Sequence, residues 1–325
     1  MRRDQIPGVL ACLVAGLVSV AVHAAIPQVS ALLVAIILGL VVANTVGVPA
    51  VVQGGVEIAG RRILRIGIVF LGLQLSLADV VGLGPAVIAV VVAVVVGGLF
   101  ATMGWGALLG VPFTRRLLIA GGFSICGAAA VAGVAGVVDA EEEDVATGIA
   151  LVVLFGTLMI PIAPAVGALV GLDDAGRAVF AGASVHEVAQ VVAAAGIIGP
   201  GALAAAVLVK LARVLMLAPV LVGIGIWQRR GAREAGGPQG AVVPLFVACF
   251  VGAVLIRSFI DLPPWLLSAA TETGTLLLAT AMFALGLGVR VRALRAVGGS
   301  TLVLGALSTA TVLSIALGGV FLAGV

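Results

Sequence analysis

The chain has 325 residues, 62% of them hydrophobic and only 10% charged, with a mean hydropathy of +1.35 and a formal net charge of +3. That composition excludes a water-soluble globular domain, and strand-like alternation is absent, which argues against a β-barrel. At roughly 20 residues per span, the expected fold class is an all-α polytopic membrane protein of about eleven transmembrane helices.

In chain order the apolar segments fall at 7–24, 29–46, 63–78, 85–109, 117–138, 145–170, 177–198, 202–227, 242–260, 270–289 and 299–323. The first also reads as a secretory signal, because Arg2 and Arg3 precede an apolar run ending Val22-His23-Ala24. With a cytoplasmic amino terminus and eleven spans, the inner side collects Arg2, Arg3, Arg61, Arg62, Arg65, Arg115, Arg116, Arg177, Arg229, Arg230, Arg233, Arg290, Arg292 and Arg295. The outer side holds Arg257 alone. This is the positive-inside asymmetry of a plasma-membrane protein with its carboxyl terminus outside. The acidic run Asp139–Asp144 (DAEEED) reads as a solvated outer loop. The one hydrophilic linker, 228–241, is too short for a domain, so a single transmembrane domain over 1–325 is expected. Cys12, Cys126 and Cys249 lie in apolar runs, which speaks against a disulfide framework.

Ionisable groups inside apolar segments mark a substrate or ion path. Segment 117–138 carries Ser124, Cys126 and Gly127, segment 177–198 carries Ser184, His186, Glu187 and Gln190, and segment 202–227 carries Lys210 and Arg213. Gly121-Gly122 and Gly182-Ala183 permit a break just before each serine, which would then cap the following half-helix. Ser184 with Glu187 three residues on is the capping-box pattern. A wheel places His186, Glu187 and Gln190 on one helical face. Amino ends of half-helices inside the apolar region would favour an anion. Lys210 and Arg213, three apart, suit that anion or pair with Glu187 or Glu272. His186, Glu187 and Glu272 are the candidate carriers of a coupling proton. Pro161, Pro164 and Pro219 are expected to kink their helices. Ser124 and His186 lack a third orienting group, and no Cys/His/carboxylate cluster has metal spacing, so neither an enzyme nor a cofactor or metal site is expected.

Two internal similarities stand out. FLGLQLSL around Gly72 resembles FALGLGVRV around Gly286 at an offset of 214 residues, on segments running in opposite directions, as an inverted repeat requires. Gly122, Ser124, Ala129, Val131, Ala135 and Gly136 match Gly182, Ser184, Ala189, Val191, Ala195 and Gly196 at an offset of 60, on segments that run parallel in the eleven-span topology.

The runs LRIGIVFLGLQLSL, GGFSICGAAAVAG, DAEEEDVATGIALVVLFGT, GASVHEVAQVVAAAG and VKLARVLMLAP, in this order, resemble the YeiH-like bacterial inner-membrane proteins of the sulfate exporter family. The resemblance covers nearly the whole chain and implies Ser124, Ile125, Cys126, Gly127, His186, Glu187, Gln190, Lys210 and Arg213 as signature positions. It also implies kinship with bile acid symporters and cation/proton antiporters, whose inverted repeats cross through broken helices, and hence alternating access. Ala130 departs from the pattern, standing where relatives often have a run Ser-Ala-Ile-Ala. The expected function is export of a small anion such as sulfate or a sulfonate, with H+ or Na+ as a possible coupling ion and a homodimer as a possible assembly. The alternatives are a proton- or sodium-coupled antiporter or organic-anion carrier on the same scaffold, and a non-transporting membrane regulator.

Overall fold

A computed structural model describes residues 5–26, 29, 31–138, 140–199, 201–234, 245–288 and 298–325. Arg2, Arg3, Asp139, most of the linker, and Arg290, Arg292 and Arg295 lie outside the described residues, as do the side chains of Arg229, Arg230 and Arg233. Among the described residues all regular structure is helical. Six helices are long and apolar enough to cross a bilayer, and shorter apolar helices accompany them. The expected all-α polytopic membrane fold is therefore the observed one.

The chain divides into two compact units, Met1–Leu77 with Gly252–Val297, and Ala78–Val251 with Gly298–Val325. In the first unit lie α1 (Ile6–Ala25), α2 (Ala31–Thr45), α3 (Ala50–Ile58), α4 (Leu64–Gly72) and α15 (Pro264–Gly288). A five-residue π-helical turn at Ala59–Ile63 joins α3 to α4, so the helix begins well before the expected 63. Arg61, expected in a loop, is helical and pairs with Glu57 at 3.3 Å. Glycines set close helix contacts: Gly39 lies against Phe283 and Gly286, Gly16 against Thr280, and Gly67 against Leu278. Gly60 beside Leu285 and Gly274 beside Phe70 show α4 and α15 antiparallel, the orientation the 214-residue similarity requires.

The second unit holds α6 (Gly84–Leu108), α7 (Phe113–Ser124), α8 (Ala128–Val138), α9 (Glu142–Leu169), α10 (Asp174–Ser184), α11 (Val188–Ile198), α12 (Ala202–Leu215), α13 (Leu217–Glu234) and α16 (Gly299–Ala323); α5 (Leu77–Gly82) and α14 (Leu245–Phe259) run between the units in sequence. Two segments expected to span do not run straight. Segment 117–138 folds back on itself: Gly121 and Gly122 of α7 lie against Val134 and Val131 of α8, and Gly148 of α9 touches both Leu118 and Val131. Arg115, before the hairpin, binds Asp144, after it, at 2.6 Å. The hairpin therefore enters and leaves at one end of the bundle. Glu143 and Asp144 of the acidic run lie beside Arg115, at the same end of the bundle and not opposite it.

Segment 177–198 folds back as well. In line, Gly182 would lie sixteen residues, or ~24 Å, from Ile198. Yet Ala202 begins only four residues after Ile198, and Gly182 lies against Ala206 and Val209. So α12 runs parallel to α10 and antiparallel to α11. Gly167, near the end of α9, touches Arg177 and Phe180, and Gly176 touches Val325, so this hairpin enters from the end opposite to Arg115. Arg177 is accordingly at the other end from Arg115, a second correction to the expected distribution. The hairpins are oppositely inserted, so the 60-residue similarity has the inverted relation that straight parallel spans denied it.

Pro161 and Pro164 lie inside α9, which runs on through them. The interruption in 202–227 falls at Met216, with Pro219 in the first turn of α13, where a missing N–H leaves no hydrogen bond broken.

Candidate functional site

Each hairpin has a three-residue tip, Ile125–Gly127 in one and Val185–Glu187 in the other. The breaks were expected just before Ser124 and Ser184; they fall just after them. Helical bonding runs through Gly121–Ser124 and closes with Ile125 N–H donating to Gly121 O at 3.1 Å, and Val185 N–H donates to Ala181 O at 3.0 Å. The serines therefore end the entering helices and do not cap the returning ones. Ser184 Oγ donates to Phe180 O at 2.7 Å, one turn back, whereas Ser124 Oγ has no hydrogen-bond partner. The return in the first tip needs a left-handed residue, and Gly127 supplies it at φ +78°.

The capping box also shifts, by three residues. Glu187 is itself the N-cap of α11: its carboxylate accepts from Gln190 N–H while Gln190 Oε1 accepts from Glu187 N–H at 3.0 Å. His186 and Glu187 thus sit in the non-helical tip, not on a helical face with Gln190. Gln190 packs on Gly156 of α9, where a methyl group would overlap its amide.

Helices α7 and α10 each end inside the bundle, leaving carbonyls without intrahelical donors. Two fully buried cations on α12 supply the donors. Lys210 Nζ donates to Val185 O at 2.7 Å and to Ile125 O at 3.1 Å. Arg213 donates to Ala183 O at 2.6 Å, Phe123 O at 3.0 Å, Val185 O at 3.1 Å and Ser124 O at 3.3 Å. Each cation thereby ties one tip to the other and faces the negative dipole ends of both entering helices. Neither forms an ion pair with Glu187; carbonyls take the place of the carboxylate partner that the sequence offered.

The amino ends of the returning helices have the opposite need. Ala128 N–H, at the start of α8, donates to Glu187 Oε1 at 2.9 Å. One carboxylate thus holds the first turns of both α8 and α11, and Gly127 packs directly on its side chain. His186 is fully buried, its ring 4.6 Å from that of Phe123, and its Nε2 lies 3.0 Å from Thr309 Oγ1. Thr309 gives its own proton to Gly305 O, so it accepts from Nε2–H, and Nδ1 makes no hydrogen bond of its own. Cys126 is buried in the first tip.

Ser124, Cys126, Gly127, Ser184, His186, Glu187, Gln190, Lys210 and Arg213 are thus brought together at the meeting of two hairpin tips. Glu272, the remaining candidate, lies exposed on α15 in the other unit and belongs to no part of this cluster. Sequence reasoning passed over Thr309 and the tip carbonyls. A threonine in an apolar helix reads as packing, and carbonyls leave no mark in a sequence.

The sequence pattern of the family described as Conserved hypothetical protein 698 matches residues 7–305. The chain is 49% identical over 317 residues to a UPF0324 membrane protein of Corynebacterium glutamicum, covering 97% of this chain and 92% of that one. It is 39% identical over 308 residues to a UPF0324 membrane protein of Pseudomonas aeruginosa, covering 90% and 85%. A third, from Bacillus cereus, is 34% identical over 276 residues, covering 84% and 78%. By both the family pattern and these relatives, the chain belongs to the Conserved hypothetical protein 698 family, the UPF0324 membrane proteins of bacteria.

Proposed function

We propose that the chain is a secondary transporter carrying a small anion such as sulfate or a sulfonate by alternating access, in the direction of export. In this reading it sits in the bacterial inner membrane with a cytoplasmic amino terminus. One observation carries the proposal: two oppositely inserted hairpins meet inside the bundle around two buried cations, Lys210 and Arg213, and a single carboxylate. Broken helices of this kind expose polar backbone at membrane depth, which is tolerated where protein buries it or where it serves a solute. The two cations outnumber Glu187, so the cluster favours an added negative charge. The division into two units supplies the two bodies that an alternating-access cycle needs.

The cluster suits a carrier better than an enzyme. Ser124 Oγ has no partner, so it forms no nucleophile–base pair with His186, whose Nε2 is engaged by Thr309. The solitary carboxylate at the tips favours proton coupling over sodium, which takes several oxygen ligands. An anion screen by thermal shift in detergent tests the reading, because a ligand raises the melting temperature of the state it binds. Sulfate or a sulfonate should stabilise the protein in a saturable way, and monocarboxylates should not. Stabilisation by carboxylates alone would move the assignment to an organic-anion carrier, and no response to any anion would favour a regulator.

A further inference from the structure

We propose that Glu187 is the resident anion of the tip cluster, and that a transported dianion takes its place together with one proton. The inference rests on the anion-carrier reading above and adds its coupling.

The amino ends of α8 and α11 are where a free anion would be held, since their first N–H groups have no intrahelical acceptor. In this structure a side chain of the protein occupies that position, accepting Ala128 N–H at 2.9 Å and Gln190 N–H besides. Among the described residues only two carboxylates are buried, Asp144 and Glu187. Asp144 is bound to Arg115 at the end of the bundle, which leaves Glu187 alone at the tips. The charged and titratable groups around it are Lys210 from α12, Cys126 from the opposite tip and His186 beside it in the chain, with Arg213 on α12 beyond them beside Cys126.

Two further observations point to a ligand. Ser124 Oγ, which lies against Gly98 of α6, and His186 Nδ1 are both fully buried and without partners, one beside the first tip and one in the second. Polar atoms in such positions ordinarily find a bond. Lys210 also has one more N–H than the two it uses, and Arg213 one more than the four it uses, so both can meet an added anion without releasing a tip.

The charge balance sets the proton. Lys210 and Arg213 contribute two positive charges and Glu187 one negative. A dianion with Glu187 still ionised leaves a buried net negative charge and a carboxylate forced off its Ala128 donor. A dianion with Glu187 neutral cancels the two cations. In the step, Glu187 Oε1 releases Ala128 N–H and takes a proton from solution, while the dianion accepts the freed N–H. Only the carboxyl O–H bond is made, and the net uptake is one dianion and one H+.

The test uses purified full-length protein in detergent and sodium sulfate as probe, from about pH 5.5 to about pH 8. Wild type should take up about one proton per sulfate bound in weakly buffered solution, and its affinity should tighten about tenfold per pH unit as pH falls. Glu187→Gln keeps an oxygen for Ala128 N–H and should bind sulfate with no pH dependence. Sulfate binding to wild type without proton uptake would overturn the inference and leave the anion carrier standing. A pH slope retained in Glu187→Gln would also overturn it, placing the proton on another group such as His186. Failure of wild type to bind sulfate at any pH would overturn the inference, and failure to bind sulfonates as well would overturn the anion-carrier reading.

Discussion

The roles of Lys210 and Arg213 can be separated by what each removal leaves behind. Replacing a buried ion pair by apolar groups is often neutral, because the desolvation cost disappears along with the attraction. That escape is closed here, since the acceptors are main-chain carbonyls that remain when the cation goes. Lys210→Met removes two charge-assisted bonds, leaving Ile125 O with no donor and Val185 O with Arg213 alone. At ~1.5–3 kcal/mol per charge-assisted bond, the loss is about 3–6 kcal/mol. With ~2–4 °C per kcal/mol for a unit of this size, the melting temperature should fall by on the order of 10 °C. Arg213→Met strips four bonds and reaches both entering helices, so its effect should be larger, enough to prevent a monodisperse preparation. Lys210→Arg, which keeps a charged donor, should recover part of the loss. The assay is intrinsic tryptophan fluorescence during thermal unfolding in detergent, with size-exclusion profiles as the check on assembly. A Lys210→Met protein melting within about 2 °C of wild type would refute the argument that this cation holds the tips.

Gly127→Ala should cost stability twice, through the positive φ and through overlap with the Glu187 side chain, and should abolish anion-induced thermal stabilisation while the protein still inserts. Gly156→Ala pushes on the Gln190 amide and so disturbs the cap of α11; a loss of ~1 kcal/mol or more is expected, read as a lower melting temperature. Thr309→Val removes the acceptor of His186 Nε2–H and should lower stability by ~1 kcal/mol or more, since a buried donor is left unpaired. Cysteines introduced at Gly110, Glu143 and Asp174 should label from sides that report the hairpins. Positions 110 and 143 should react from one side of the membrane and 174 from the other, and labelling of 110 and 174 from one side with 143 opposite would restore straight spans.

Ionisable residues were the legible part of this site. His186, Glu187, Lys210 and Arg213 stand out because such groups are rare in apolar sequence, and all four meet at the tips. The helical breaks were legible too, but not their place or consequence. An apolar run of about twenty residues looks the same whether it crosses a bilayer or folds halfway and returns. Glycine pairs mark where a helix can be broken or closely packed; here Gly121 and Gly122 take the packing role against α8, and the break waits for Gly127. Around 184–190 two capping patterns overlap, Ser184 with Glu187 and Glu187 with Gln190. The second won because a cap at Ser184 would have required a helix to begin where α10 still continues. Charge asymmetry could not reveal the hairpins. One hairpin in place of a span shifts every later loop to the other end, and the second hairpin shifts them back. The loops that change ends carry the acidic run after Val138 and Asp173, Asp174 and Arg177, so a single cation moves and the Lys/Arg pattern is hardly disturbed.

The central claim is that the hairpin tips serve a transported anion, and exchange of labelled sulfate in proteoliposomes tests it most directly. Vesicles loaded with unlabelled sulfate and containing wild-type protein should accumulate external labelled sulfate transiently, at a rate that saturates and exceeds that of protein-free vesicles. Uptake should rise as the external pH is lowered. Wild-type vesicles that match protein-free ones at every pH, for sulfate and for sulfonates alike, would contradict the account.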